Sequence, residues 1–275
     1  MSTDLIRSVL LVLLVVRPAV SWAQDGVPAP NDVGASVQSG PVGEAPPAQR
    51  TDSAAFESSM KSAVAAMPRD VWHSVSFESA TVGALGLAAA GIAHHWDAAS
   101  LEEVREVPTF RSAVRPGNTV GSFAVQAGVA VGAFALGRLT QHPRLAQTGL
   151  DALRAQVVTQ AWVQAVKISV NRQRPDGTRF SFPSGHVATT FATAEVVRRD
   201  LGWKAGVPMY ALGVYVASAR MAQNHHYLSD VLFGAAIGLA SAHSLRLGHG
   251  AAPLVLTPVV TPGGAGVQFS IAGHR

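Results

Sequence analysis

The chain has 275 residues, of which 48% are hydrophobic and 14% are charged, and its formal net charge is +4. Soluble domains usually have about 25% charged residues, so this composition is typical of an alanine- and glycine-rich helical bundle or of a membrane-embedded protein. The basic residues do not alternate with aromatic ones, which argues against a nucleic-acid partner. Cysteine is absent, which excludes disulfides and thiolate metal ligands.

The N-terminal residues have the features of a secretory signal peptide. Arg7 precedes an apolar run from Val9 to Val16, and Ser21-Trp22-Ala23 places small residues before a cleavage point after Ala23. This run is too short to cross a hydrocarbon core of about 30 Å. We therefore predict a signal peptide over residues 1–23 and an exported protein.

A proline-rich linker is predicted next, followed by the first helix. Residues 24–50 contain prolines at 28, 30, 41, 46 and 47, and such a segment buries too little surface to offset its ordering entropy. From residue 52 onward, apolar residues recur at helical spacing as far as Met67. The spacing predicts an amphipathic helix that ends at Pro68.

The rest of the chain predicts an all-α, up-and-down bundle of about six helices within residues 51–250. Apolar helical segments occur at 79–95, 119–138, 150–171, 187–200, 206–221 and 230–246. A polar stretch at 96–118 separates the first two, with Pro108 and Pro116 as helix breakers. Gly128-x3-Gly132 and Gly234-x3-Gly238 predict close helix contacts. Alternating apolar residues after a turn at 261–264 predict a C-terminal β-hairpin within 251–275.

Three motifs in the second half of the chain contain the residues that suggest a chemical function. They are K-I-S-V-N-R-Q-R-P from Lys167 to Pro175, P-S-G-H from Pro183 to His186, and R-M-A-Q-N-H-H-Y-L-S-D from Arg220 to Asp230. Each motif lies where a predicted helix begins or ends. Because the end of one helix and the start of the next lie on the same side of an up-and-down bundle, we expect the motifs to meet.

The residue types in these motifs are those that bind and cleave a phosphate ester. Arg174 and Arg220 can bind phosphate oxygens through two hydrogen bonds each, and Lys167 adds a point charge. Ser184 adds a hydroxyl donor, and Gly185 lets the phosphate approach the free N–H groups of a helix N-terminus.

Two imidazoles and a carboxylate complete the predicted site. His226 can attack phosphorus if Asp230, one helical turn later, holds its other ring nitrogen. His186 can protonate the leaving oxygen and then activate water. No metal ion or cofactor is required, because the cations neutralise the developing charge.

The order and spacing of the motifs resemble the type 2 phosphatidic acid phosphatase superfamily, which includes bacterial class A acid phosphatases and vanadium haloperoxidases. Residues 150–247 carry the resemblance, and one motif position departs from it: Ala219 stands where the family has Ser. The resemblance implies an all-α bundle and a metal-independent phosphatase. It implies the same roles for the residues named above.

Two other functions remain open from the sequence. Vanadate resembles the phosphoryl transition state, so the same residues could serve a vanadate-dependent haloperoxidase. A non-catalytic module that binds phosphate or a lipid headgroup is the second alternative, although simple binding does not need both His186 and His226. Among phosphate esters we favour a lipid phosphate, and the oligomeric state is not predicted.

The predicted location follows from the lengths of the apolar segments. A membrane-spanning helix needs about 20 apolar residues, and only 119–137 approaches that length. We therefore expect an exported, periplasmic bundle that is soluble or lies on a membrane surface. An integral membrane protein is the alternative.

Overall fold

The computed structural model describes residues 51–244, 254–261 and 264–271, and helices dominate this part of the chain. The α-helices are α1 Thr51–His73, α2 Phe77–Ala93, α3 Asp97–Arg105, α4 Pro108–Val114, α5 Gly117–Val120, α6 Phe123–Leu139, α7 Pro143–Val170, α8 Gly185–Leu201, α9 Trp203–Ala222 and α10 Leu228–Ser244. A short 3-10 helix, His94–Trp96, joins α2 to α3. The strands β1 Leu254–Thr261 and β2 Gly264–Ile271 pair antiparallel, with Leu254 opposite Ile271.

The predicted fold needs correction, because the bundle is larger than about six helices. Within the described ranges there are ten α-helices. The polar stretch 96–118 was predicted to separate two helices, with Pro108 and Pro116 as helix breakers, yet α3, α4 and the start of α5 lie within it. Pro108 occupies the first turn of α4, where a proline has no helical hydrogen bond to lose. The predicted signal peptide (1–23) and linker (24–50) lie outside the described residues.

Helix α1 also differs from its prediction, because it continues past Pro68 to His73. Arg154 on α7 donates from Nε and Nη2 to the two carboxylate oxygens of Asp70, at 2.8 and 2.7 Å, and both side chains are buried. Paired hydrogen bonds between a guanidinium and a carboxylate are among the stronger polar contacts in proteins. This ion pair holds the turn after the proline against the bundle.

Helix α8 lies at the centre of the bundle and packs against α7, α9 and α10. Its inner residues are small, and Ala188, Ala192 and Ala194 have no exposed surface. Phe191 fills the space between α8 and Gly213 of α9. Small side chains let the surrounding helices approach closely, which positions the ends of α7, α9 and α10 around the start of α8.

The length and apolar composition of a membrane span occur in pairs of helices rather than in single helices. Among the described residues, no helix alone has the length and apolar composition of a membrane span. Two pairs of helices have this length and composition when their members are taken together. Lys61–Trp72 and Phe77–Arg105 are bent by 66° relative to each other, and Pro108–Val120 and Phe123–Leu139 by 57°. The three sequence motifs lie outside both pairs.

Candidate active site

The first motif turns away from α7 through a residue in the left-handed conformation. Asn171 has φ 46° and ψ 40°, and its N–H donates to the Lys167 carbonyl at 2.9 Å, which is a common helix ending. Lys167 is buried, and its Nζ donates to the Phe180 carbonyl at 2.5 Å. Burial and repulsion from Arg174 lower the pKa of Lys167 to about 8. The turn therefore brings two cations of the motif close together.

The second motif opens α8 with free backbone donors. Ser184 precedes the helix with an extended backbone, ψ 108°, and no side chain in the described structure caps the first turn. The backbone N–H of Ser184 donates to the Asp230 carbonyl at 3.0 Å, which joins the second motif to the third. Unsatisfied N–H groups at a helix N-terminus are a common anion-binding arrangement.

The third motif places an imidazole beside a carboxylate in the protein interior. His226 is 1% exposed and Asp230 has no exposed surface. Nδ1 of His226 lies 3.5 Å from Oδ2 of Asp230, which is longer than an ordinary hydrogen bond. Burial lowers the pKa of His226 to about 3, although Asp230 opposes the shift. The ring is therefore neutral at physiological pH, with Nε2 as the remaining basic nitrogen if Nδ1 carries the proton towards Asp230.

Several donors hold the Asp230 carboxylate in place. Oδ2 accepts from the Ser181 hydroxyl and from the Tyr227 backbone N–H, the latter at 2.9 Å. Oδ1 accepts from Nη1 of Arg172 at 2.7 Å. Burial acts to raise the pKa of Asp230, but hydrogen bonds from His226 and Ser181 lead to a net lowering. The carboxylate is therefore ionised and fixed in orientation.

His186 and Arg220 meet a residue of the short helix α5. Nη1 of Arg220 donates to Oδ1 of Asn118 at 2.8 Å, and His186 hydrogen-bonds to the backbone of Asn118. Burial and the charge of Arg220 lower the pKa of His186 to about 4. Burial and repulsion from Arg174 lower the pKa of Arg220 to about 10. These mutual effects show that the charged groups of all three motifs share one small region.

Four buried side-chain atoms in this region have no hydrogen-bond partner within the described part of the chain. One is Nδ1 of His226, which lies 3.5 Å from Oδ2 of Asp230. The other three are donors: Nε of Arg174, Oγ of Ser184 and Nε of Arg220. Leaving a buried donor unsatisfied costs about 1–3 kcal/mol. Together with the uncapped start of α8, they form a set of donors that matches a tetrahedral oxyanion.

Sequence reasoning placed the motif residues but missed their supports. The structure brings together the eight site residues named from the sequence, which are Lys167, Arg174, Ser184, Gly185, His186, Arg220, His226 and Asp230. Asn118, Ser181 and Asp97, which also contact the motif region, were not predicted. Asn118 is separated from Arg220 by 102 positions, so no local spacing pattern could reveal it.

Residues 149–252 match the family model of the PAP2 superfamily. The matched segment is 104 of the 275 residues and contains all three motifs. The resemblance inferred from the motifs is thus confirmed. Lipid A 1-phosphatase of Porphyromonas gingivalis is 42% identical over 81 residues, which make up 28% of this chain and 18% of that protein. The chain therefore spans less than one fifth of the length of this curated relative.

Two solved structures resemble the helical bundle. The first, a transmembrane PAP2 type phosphatidylglycerolphosphate phosphatase from Bacillus subtilis, superposes with a TM-score of 0.54 and 19% identity, over 62% of this chain and 95% of that one. The second, Aquifex aeolicus LpxE, gives a TM-score of 0.48 with 18% identity, over 55% of this chain and 94% of that one. The first likeness establishes the fold.

The predicted location is contradicted by these findings. We expected a periplasmic bundle that is soluble or peripheral. Instead, the fold is shared with a protein described as transmembrane. Two bent helix pairs also have, by length and composition, what a membrane span requires. The sequence estimate was wrong because it tested each apolar segment separately and did not combine helices across a bend.

Proposed function

We propose that this PAP2 protein is a metal-independent phosphatase that hydrolyses a lipid phosphate through a phosphohistidine on His226. The observation that carries the proposal is the set of buried, unpaired donors on Arg174, Ser184 and Arg220 beside a buried neutral imidazole. A bound phosphate would satisfy these donors with charge-assisted hydrogen bonds. His226 would then attack the phosphorus of the bound ester.

In the first step, Nε2 of His226 forms a bond to phosphorus while the bond from phosphorus to the ester oxygen breaks. The alcohol oxygen takes a proton from His186 as it leaves. Asp230, near Nδ1 of His226, stabilises the positive charge that the ring gains. Lys167, Arg174 and the start of α8 stabilise the charge on the phosphoryl oxygens.

In the second step, water replaces the histidine on phosphorus. His186, now neutral, takes a proton from the attacking water, so that the oxygen bonds to phosphorus as the bond to Nε2 breaks. Inorganic phosphate leaves, His226 returns to its neutral form and His186 is again protonated. The two steps together consume one water and release one alcohol and one phosphate.

Two observations support a lipid phosphate as the substrate class. The relative in Porphyromonas gingivalis and the solved structure from Bacillus subtilis are both named as phosphatases of lipid phosphates. The bent helix pairs are suited to a lipid environment. A lipid substrate would present its phosphate at the motif end of the bundle while its acyl chains remain in the bilayer.

The test is phosphate release by the purified chain in detergent, with a chelator present, from dispersed lipid phosphates and from water-soluble esters. We expect turnover of lipid phosphates and an acid-labile phosphoenzyme after rapid quenching. His226→Gln should abolish both. His243→Gln is the matched control, because His243 pairs with Glu78 at the opposite end of α10.

The contrary outcomes are distinct from one another. Complete loss of turnover with the chelator would contradict metal independence. Full activity of His226→Gln would contradict the phosphohistidine. Equal turnover of soluble esters and lipid phosphates would contradict the substrate class, and peroxide-dependent halide oxidation after vanadate loading would favour the haloperoxidase reading.

A further inference from the structure

Arg172 lies between two buried carboxylates, one of which is Asp230 of the proposed site. Nη1 of Arg172 donates to Oδ1 of Asp230 at 2.7 Å, and Nη2 donates to Oδ2 of Asp97 at 2.8 Å. Asp230 has no exposed surface and Asp97 is 4% exposed. A guanidinium with its two arms on two carboxylates fixes the distance and angle between them.

Asp97 is itself fastened to the start of α10. Its Oδ1 accepts from the Ser229 backbone N–H at 2.9 Å, and its Oδ2 accepts from the Ser229 hydroxyl at 2.7 Å. Oγ of Ser229 also accepts from Nη1 of Arg172 at 2.7 Å. Asp97 therefore holds both Arg172 and the helical turn that carries Asp230.

The two oxygens of Asp230 have separate partners as a result. Oδ1 accepts a hydrogen bond from Arg172. Oδ2 accepts hydrogen bonds from the Ser181 hydroxyl and the Tyr227 N–H, and it also faces the ring of His226. The guanidinium of Arg172 also stacks on Tyr227, 4.2 Å from its ring centre. Rotation of the carboxylate would break the bond to Arg172, so Oδ2 stays directed at His226.

Stability alone is a weak explanation for this arrangement. Buried ion pairs often contribute little net stability compared with apolar residues of similar size, because both charges lose their hydration. Asp97 moreover lies on α3, outside the segment 149–252 that matches the PAP2 model. Asp97, from outside that segment, is thus connected to the side chain of Asp230 in the proposed site through Arg172.

We propose that Arg172 and Asp97 are positioning residues that orient the Asp230 carboxylate towards His226, an inference that rests on the proposed function. Arg172 does not contact the reacting atoms and acts through Asp230. Without Arg172, Asp230 can rotate and its carboxylate is more easily protonated. Among the described residues it then keeps the Ser181 hydroxyl, the Tyr227 N–H, His226 and the more distant charge of Lys167. His226 would then lose its fixed tautomer.

The experiment compares Arg172→Gln, Arg172→Lys and Asp97→Asn with the wild-type chain in detergent. We expect Arg172→Gln to lower kcat by about 100-fold, the usual effect of a reacting group displaced by about 1 Å, with KM little changed. The acid limb of the kcat profile should move to higher pH. Arg172→Lys should recover part of kcat, because lysine keeps the charge but cannot bridge both carboxylates. Glu78→Gln is the control, since it removes an exposed carboxylate at the opposite end of the bundle.

A second measurement on the same samples does not depend on turnover. Ring ¹⁵N shifts of His226, identified by their loss in His226→Gln, should report a proton on Nδ1 in the wild type and a mixture of tautomers in Arg172→Gln. An unchanged tautomer, or an unchanged kcat and acid limb per folded molecule in both Arg172 variants, would overturn the inference. A wild-type chain without phosphatase activity, but with the expected tautomer change, would overturn only the proposed function.

Discussion

Gly234 on α10 lies against the backbone of Ser184, so that a methyl group on its Cα would come within 2.6 Å of the Ser184 carbonyl oxygen. One turn later, a methyl group on Gly238 would lie 2.2 Å from the Ala188 carbonyl oxygen. Only glycine permits this approach of α10 to α8. The approach allows the hydrogen bond between Ser184 N–H and the Asp230 carbonyl, which joins the second and third motifs.

Replacing these glycines should separate the two motifs. We expect Gly238→Ala to lower the free energy of unfolding by about 1–3 kcal/mol, the usual effect of overpacking. Gly234→Ala should in addition lower kcat, because it displaces Ser184. Denaturant unfolding and phosphate release in detergent measure the two effects. Gly128→Ala is the control, since nothing lies within 4 Å of a Cβ added there, and equal stability of Gly238→Ala and Gly128→Ala would contradict the prediction.

The two glycine pairs show what spacing can and cannot predict. Gly234-x3-Gly238 marks a close helix contact, as expected from the sequence. Gly128-x3-Gly132 has the same spacing but faces open space. Spacing shows that two glycines share one helix face, but a partner for that face depends on how the whole chain folds.

The same limit applies to the fold and the site. The motifs were predictable because each combines residue types with a helix end: α7 ends at Val170, within the first motif, and α8 begins at Gly185, within the second. Asn118 and Asp97 were not predictable, because the motif residues that they contact are far away in sequence. Local signals also failed at Pro108, which was predicted to break a helix and instead occupies the first turn of α4.

His186 should control the cleavage of poor leaving groups in a pH-dependent way. Its pKa of about 4 in the free protein means that the protonated fraction grows about tenfold for each unit of pH lost above that value. We expect the ratio of kcat/KM for an alkyl phosphate to that for a nitrophenyl phosphate to rise as pH falls from about 7 to 5. The two phosphates ionise at different pH, so the wild-type ratio is compared at each pH with the ratio for His186→Ala, in which the contribution of His186 is missing. The wild-type ratio should exceed that of His186→Ala by a factor that grows as pH falls, and a factor that does not change with pH would refute the role of general acid.

The buried His226 should make the fold less stable in acid. Its pKa is lowered to about 3 from the ordinary 6.5, chiefly by burial. Between those values the unfolded chain binds a proton that the folded chain does not, so stability falls as pH decreases through this window. One such group contributes a slope of up to about 1.4 kcal/mol per pH unit. Denaturant unfolding between about pH 4 and pH 7 should show a smaller slope for His226→Gln, and an identical slope would contradict the prediction.

Support for Arg220 should depend on Asn118 and not on the residue at position 219. Oδ1 of Asn118 accepts from Nη1 of Arg220, and loss of a hydrogen bond to a charged group costs about 1.5–3 kcal/mol. Asn118→Ala should therefore lower kcat/KM by about 10- to 100-fold, while Asn118→Asp keeps the acceptor and should lower it less.

Ala219 is fully buried, and a methyl group on Gly117 would lie 2.7 Å from its Cβ. Ala219→Ser, which introduces the family residue, should thus cost about 1–3 kcal/mol of stability without raising kcat/KM. Unfolding and steady-state kinetics on the three variants check both statements, and a gain in kcat/KM from Ala219→Ser would show that Asn118 does not replace the missing hydroxyl.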